Sequence, residues 1–395
     1  MTACAIETGE DSGEDEGREG DLGHDSPFVI TANGAYAARL AGAGDALFVE
    51  RWTLDGPEPY AVPLPLGQPE EPGTQVLPLA DGRVLVARRV DGRRITFSLL
   101  YPTGPETGEL QLGAVEAPGS ERLVLLPPSP DGICAYAMCV GPDTTTLWLV
   151  AGGAFGPEQV AEVRGDCSGG VWLDRTGRML ALDRRLGDGP VKAVAVDLER
   201  GGEVTPLLQI TEESDDRLLL ADPDSGLLLI RSDAPSPGRE RLGWGVLGSL
   251  LPVRFPECLR LDDAEVTPFA VQPGQVLMPE SCSVALRIDA GGGSWVGTWE
   301  PSSRRLVQAA APAGWLAGSG LWTAEGVLRL PHVTAETPCG LAELEVPPEP
   351  EPDPAVALDP AVALDPGVVV DADEPRVCRP VPLQQAPLTD RKPAG

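Results

Sequence analysis

The sequence predicts an all-β protein, a seven-bladed β-propeller of four-stranded antiparallel blades with disordered acidic termini. Three features predict it: a glycine-closed turn at near-constant spacing, short apolar runs on either side of that turn, and two further strand-like segments in each copy. The turn copies are "VITANGAYAARL", "VLPLADGRVLVARR", "LLPPSPDGICAYAM", "VWLDRTGRMLALDR", "LLLADPDSGLLLIR", "FAVQPGQVLMPE" and "LWTAEGVLRLPH". Their glycines, Gly34, Gly82, Gly132, Gly177, Gly226, Gly274 and Gly326, are 48, 50, 45, 49, 48 and 52 residues apart. Such regularity marks a tandem array.

Each part of the copy has a physical reason. Glycine at the turn supplies a positive φ that other residues adopt only at a cost, and Asn33, Asp81 and Asp131 before it suit a tight hairpin. Runs such as "VLVA" and "LLLI" are too short for helices. They are apolar on both faces, as in a sheet sandwiched between two neighbours. Two more segments follow: "ITFSLL" and "GELQLGAV" in the second copy, "LWLVAG" and "EQVAEV" in the third, "KAVAVDL" and "EVTPLLQI" in the fourth. Four strands in about 48 residues make one propeller blade. Copies five and six give the least definite outer strands, in "GWGVLGSLLPVRF" and "SVALRIDAGGG". The 47 Gly and 42 Pro agree with many short strands and turns.

"SPDG" followed by an apolar strand, Ser129 to Gly132, resembles the repeat of TolB-type and prolyl-oligopeptidase-type propellers, and WD-type propellers more distantly. "LADG" and "PDSG" match it in part. The resemblance implies a blade unit and no particular activity. Prolyl oligopeptidases join such a propeller to a hydrolase domain. The repeats fill residues 27–346, so no such domain is expected within this sequence.

Charge divides the chain into three parts. The formal net charge is −30, of which residues 1–26 carry −8 and residues 347–395 carry −5, leaving −17 on the body. An anionic surface of this kind repels phosphate backbones and anionic headgroups, so neither nucleic-acid nor membrane binding is expected. The leader at 1–26 is too acidic and too poor in apolar groups to order itself. The tail at 347–395 begins "PPEPEPDPAVALDPAVALDPGVVVDADEP" and reads as a semi-stiff acidic tether. The sharper alternative is a short docking motif built on Val356, Leu358 or Val368 to Val370. No long apolar span and no secretory signal is seen, so a cytoplasmic location is expected.

Chemistry-bearing motifs read as structural. The eight cysteines form no CxxC pair and accompany only His24 and His332, so no metal site is expected, and buried reduced thiols are. "GDCSGG", residues 165 to 170, is like a chymotrypsin-type nucleophile motif with Cys167 inserted, but no histidine is placed as base, so a turn between blades is expected. "GWGVLG", Gly243 to Gly248, satisfies a dinucleotide pattern, yet proline-containing "SLLPVRFP" follows instead of a helix. No P-loop is possible, because neither Lys192 nor Lys392 follows a glycine. "DPDSG", Asp222 to Gly226, could start a calcium loop but aligns with the hairpin turns. Neither a catalytic set nor a cofactor is expected.

One asymmetry points to function. In a four-stranded blade the glycine turn occupies one rim and the loop between second and third strands the other. That second set of loops is basic: Arg88, Arg89, Arg93 and Arg94 in the second copy, Arg184, Arg185 and Lys192 in the fourth, Arg231, Arg239 and Arg241 in the fifth. Arginine forks suit carboxylates. The expectation is a non-enzymatic scaffold, a monomer or a member of a hetero-complex, whose basic rim takes an acidic segment of another protein or of its own tails. Solvated arginines paired with neighbouring acids are the plainer reading. A small-ligand or enzymatic propeller using the central channel is the rival class.

Overall fold

The computed structural model describes residues 27–90, 94–116, 122–276 and 278–345. The leader and almost the whole tail, on which disorder was expected, lie outside the described residues, as does Arg93.

The strands follow the sequence repeats. Repeat 1 holds β1 (Val29–Ile30), β2 (Tyr36–Ala41), β3 (Phe48–Thr53) and β4 (Tyr60–Leu64). Repeat 2 holds β5 (Gln75–Pro78), β6 (Val84–Val90), β7 (Arg94–Pro102) and β8 (Thr107–Glu116). Repeat 3 holds β9 (Arg122–Leu125), β10 (Ala135–Val140), β11 (Thr144–Ala151) and β12 (Glu158–Arg164). Repeat 4 holds β13 (Asp166–Trp172), β14 (Met179–Arg185), β15 (Val191–Asp197) and β16 (Glu203–Leu208). Repeat 5 has β17 (Asp216–Ala221), β18 (Leu227–Ser232) and β19 (Arg241–Val246). Repeat 6 has β20 (Ala264–Val271), β21 (Val284–Ala290), β22 (Gly293–Trp299) and β23 (Val307–Ala310). Repeat 7 has β24 (Leu321–Trp322), β25 (Val327–His332) and β26 (Gly340–Glu345).

Within each repeat neighbouring strands pair antiparallel in chain order. Repeats 4 and 5 are also joined into one sheet by a single parallel bridge, Lys192 to Asp216. All seven turn glycines have the positive φ their position demands, between 69° and 88°.

Two repeats depart from four strands. In repeat 5 the fourth position is held only by Arg254, which exchanges backbone hydrogen bonds with Trp244 at 2.8 and 2.9 Å. Pro252 and Pro256 on either side have no N–H to extend the ladder. In repeat 7 the described chain ends with the third strand. Repeat 6 forms its outer strands after all, because "SWVGTW" takes the third position and buries Val296 and Trp299.

The core lies between sheets. Apolar clusters join repeats 1 and 2 around Val49 and Leu100, 2 and 3 around Phe97 and Ala137, and 3 and 4 around Met138 and Leu180. Others join 4 and 5 around Ala193 and Ile230, 5 and 6 around Leu229 and Leu286, and 6 and 7 around Val296 and Leu328. One more joins the last repeat to the first, with Phe28 and Trp52 packed on Leu316, Val333 and Leu341. There the Phe28 and Trp52 rings meet edge-on with centroids 4.9 Å apart, and Ser319 Oγ donates to the Phe28 carbonyl at 3.0 Å. Continuous apolar runs are thus buried on both faces, as the sequence required.

Candidate functional site

The antiparallel pairing puts the glycine turns at one end of the sheets and the loops between second and third strands at the other. Arg88, Arg89, Arg94, Arg184, Arg185, Lys192, Arg231, Arg239 and Arg241 all fall at or beside that second end. The same end receives the connections between successive sheets, and these are acidic. Glu70 and Glu71 lie between repeats 1 and 2, Glu212, Glu213 and Asp215 between 4 and 5, and Glu257, Asp262 and Asp263 between 5 and 6. Reading the loops alone missed this second set of charges.

Several candidate bases are therefore committed internally. Arg88 makes a fork to Glu70, with Nη2 and Nε at 2.7 and 2.8 Å, and Nη1 reaches Glu109 at 2.8 Å. Arg231 pairs with Glu265 at 3.0 Å and donates to the Val266 carbonyl. Arg241 pairs with Glu257 at 2.8 Å. Lys192 is the clearest correction: its amine points inward, at 2.8 Å from the fully buried Asp216 and within 2.6 Å of the Thr211 and Ser214 carbonyls. It pins the connection between repeats 4 and 5. Arg184 is half-buried on β14 opposite Cys167. Arg94, Arg185 and Arg239 are exposed and hold no ion pair among the described residues, and Arg89 is exposed beside them on β6. Of the bases expected from the sequence, Arg94, Arg185 and Arg239 are thus the exposed ones without an ion pair among the described residues, whereas Arg89 has an interaction of its own.

A recess of about 410 Å³ opens between repeats 5 and 6. Arg231, Arg241 and Arg260 stand around it with Glu240 and Glu265, over an apolar lining that includes Leu242, Leu259 and Val266. Arg260 approaches Glu257 and Asp262 no closer than 3.8 and 3.5 Å. Its guanidinium is the least committed of the three.

A second, larger cavity of about 980 Å³ is lined by the first strands of every repeat, from Phe28 through Gln75, Leu125, Trp172, Leu220 and Phe269 to Trp322. Several of its polar groups are spent on bonds between neighbouring sheets. The Gln75 amide donates to the Leu123 carbonyl at 2.8 Å and accepts from Leu125 N–H at 2.8 Å, and Trp172 Nε1 donates to the Pro127 carbonyl at 3.0 Å. At one mouth the Arg175 guanidinium forks onto Asp224, which also accepts from Gly274 N–H at 3.1 Å. This ties the turns of repeats 4, 5 and 6 together.

"GDCSGG" is not a turn between sheets: Asp166–Trp172 is the first strand of repeat 4, bulged at Gly169 and Gly170, whose φ values are 73° and 133°. The reason is burial, since Cys167 is fully enclosed against repeat 3 and cannot sit on a surface loop. "GWGVLG" runs along β19 with no helix after it. "DPDSG" is a hairpin turn in which Asp222 accepts from the Ser225 N–H and Oγ. Cys134, Cys139, Cys167, Cys258, Cys282 and Cys339 are unpaired thiols, and burial pushes Cys139 and Cys167 up to about 11. Among the described residues no cluster of three or more His, Cys, Asp or Glu is placed to hold a metal, and no helix is long and apolar enough to cross a membrane.

The chain is similar in structure to proteins of known fold. Apo prolyl oligopeptidase B from Galerina marginata aligns with a TM-score of 0.51 at 12% identity, over 81% of this chain and 49% of that one. Oligogalacturonate lyase from Vibrio parahaemolyticus aligns with a TM-score of 0.51 at 9% identity, over 82% and 92%. TolB from Acinetobacter baumannii aligns with a TM-score of 0.41 at 11% identity, over 79% and 80%. No family model and no curated protein matches the sequence. The chain thus has a β-propeller fold. It is similar to the propeller of prolyl oligopeptidase, as the "SPDG" turn implied. The chain spans less than half the length of the prolyl oligopeptidase structures it matches.

Proposed function

We propose that the body is a closed seven-bladed propeller that acts as a non-enzymatic scaffold, binding an acidic segment of another protein on the arginine-bearing rim. The multiplicity is supported by the apolar clusters, which link each repeat to the next and the last to the first. Stacked sheets give a rigid frame while the rim loops stay free to vary.

The observation that carries the binding reading is the recess between repeats 5 and 6. Arg260, the least committed of its arginines, stands over an apolar lining, a combination suited to a peptide with a carboxylate beside aliphatic side chains. Arg94, Arg185 and Arg239 on the same rim extend the attraction around the ring. The unpaired thiols support a reducing, cytoplasmic location.

The test is the substitution Arg260→Glu in the recess combined with Arg94→Glu, Arg185→Glu and Arg239→Glu on the same rim. Among the described residues the last three side chains hold no ion pair and Arg260 approaches its acids no closer than 3.5 Å, so the fold should keep its melting temperature. A partner captured by the native chain should be lost by the variant, and its binding should weaken with salt. Capture that is unchanged by charge reversal contradicts the reading. The rival, a ligand in the central cavity, rests on that cavity's volume of about 980 Å³. A small molecule retained in native mass spectrometry would favour it.

A further inference from the structure

Repeat 7 is left with an open edge. In repeats 1, 2, 3, 4 and 6 the third strand is covered by a fourth, β4, β8, β12, β16 and β23. In repeat 5 Arg254 holds that place. β26 pairs with β25 alone, and among the described residues nothing pairs with its outer side. Its two faces are nonetheless partly covered, since the half-buried Leu341 packs toward repeat 1 and the half-buried Leu344 toward repeat 6. An uncovered row of N–H and C=O groups on a strand packed into the sheet stack is a template for another strand.

We propose that the chain's own segment Ala355–Leu358 pairs antiparallel with β26 as the missing fourth strand, with the second copy, Ala361–Leu364, as an alternative register. Connectivity favours it. The chain leaves β26 at Glu345, at the glycine-turn end, where every other third strand turns into its fourth. Elsewhere that connection takes between four residues (103–106) and seven (300–306), and nine (346–354) precede Ala355. Nine residues reach up to about 30 Å, ample for a hairpin return.

Composition favours it too. "AVAL" is uncharged, so it adds no repulsion to Glu343 on β26, whereas "VVVDADE" further on would. Asp-Pro ends each copy, and an acid with proline is how an outermost strand is kept from pairing further. Existing fourth strands tolerate proline in the same way, Pro63 in β4 and Pro206 in β16. A tethered strand acts at an effective concentration of about millimolar, which outcompetes a second copy or a foreign strand at cellular levels.

The test is hydrogen exchange by mass spectrometry on peptides covering 341–345, in the full chain and two variants. One variant stops after Val346. The other is full-length with Val356→Pro, Ala357→Pro, Val362→Pro and Ala363→Pro, because adjacent prolines remove whichever N–H faces β26. Exchange at 341–345 should be at least about tenfold faster in both variants, with β10 and β14 unchanged as the measure of intact fold. Equal exchange in the full and proline-substituted chains overturns the proposal. Faster exchange in the truncated chain alone assigns the edge to another part of the tail and overturns it equally. Protection that rises with protein concentration points to a second copy and does the same.

Discussion

Lys192 separates a binding surface from a structural one. Its amine sits in a cage of Asp216 Oδ2 and the Thr211 and Ser214 carbonyls, while its side chain is only 14% exposed and that of Asp216 is wholly enclosed. Lys192→Met keeps the stem and removes the charge. Asp216 retains the Ser214 and Ser232 hydroxyls at 2.9 and 2.6 Å and the Ile210 N–H at 2.9 Å, but is left as a buried anion without a cation. Breaking a buried pair on one side costs about 3–5 kcal/mol, whereas a solvated surface pair is worth about 0–1 kcal/mol. The difference is large enough to read from urea midpoints followed by tryptophan fluorescence and circular dichroism. Combining Lys192→Met with Asp216→Asn should cost less than the two single changes added, because the stranded charge is gone. A loss below about 1 kcal/mol for Lys192→Met, or strict additivity in the double variant, would refute the interior assignment and return Lys192 to the rim.

Two further perturbations follow from the same structure. A methyl on Gly132, whose φ is 69°, would approach the Ala80 side chain to 2.5 Å, whereas one on Gly274, with φ 88°, meets nothing within 4 Å. Gly274→Ala should therefore cost only the left-handed backbone penalty of about 1–2 kcal/mol, and Gly132→Ala measurably more; equal midpoints would contradict the packing between turns 2 and 3. Burial pushes the Asp183 carboxyl up to about 6, against the opposing pull of the Leu218 N–H and Arg217, while an exposed Asp titrates near 3.8. The folded chain thus holds this proton more tightly than the unfolded one, and stability falls as pH rises from about 4 to 6, by about 3 kcal/mol at most. Asp183→Asn, which can still accept from Leu218 N–H, should abolish that slope and exceed the native stability near pH 7; an unchanged slope would assign it elsewhere.

What could be read from the sequence was local. The turn glycines announced themselves because a positive φ is a property of single residues, and the second strand of most repeats because both its faces are buried. Outer strands were fainter: "YAVPL" and "EVTPLL" are half exposed and carry proline, so neither alternation nor continuous apolarity marks them. The site was less legible than the fold. Arg88 and Glu70 lie 18 residues apart, Lys192 and Asp216 24, and Arg231 and Glu265 34, so the neutralising acids of the rim belong to segments that only the folded chain brings alongside. Cys167 looked like part of a loop because its motif is glycine-rich, yet those glycines serve a bulge inside a buried strand.

The contact between the last repeat and the first decides whether the sheets form a ring of seven. A crystal structure of the full chain tests this most directly. It should place seven antiparallel sheets about one axis, with Phe28 and Trp52 against Leu316 and Leu341 and the Ser319 hydroxyl on the Phe28 carbonyl. A gap at that junction, or any other number of sheets around the axis, would contradict the account.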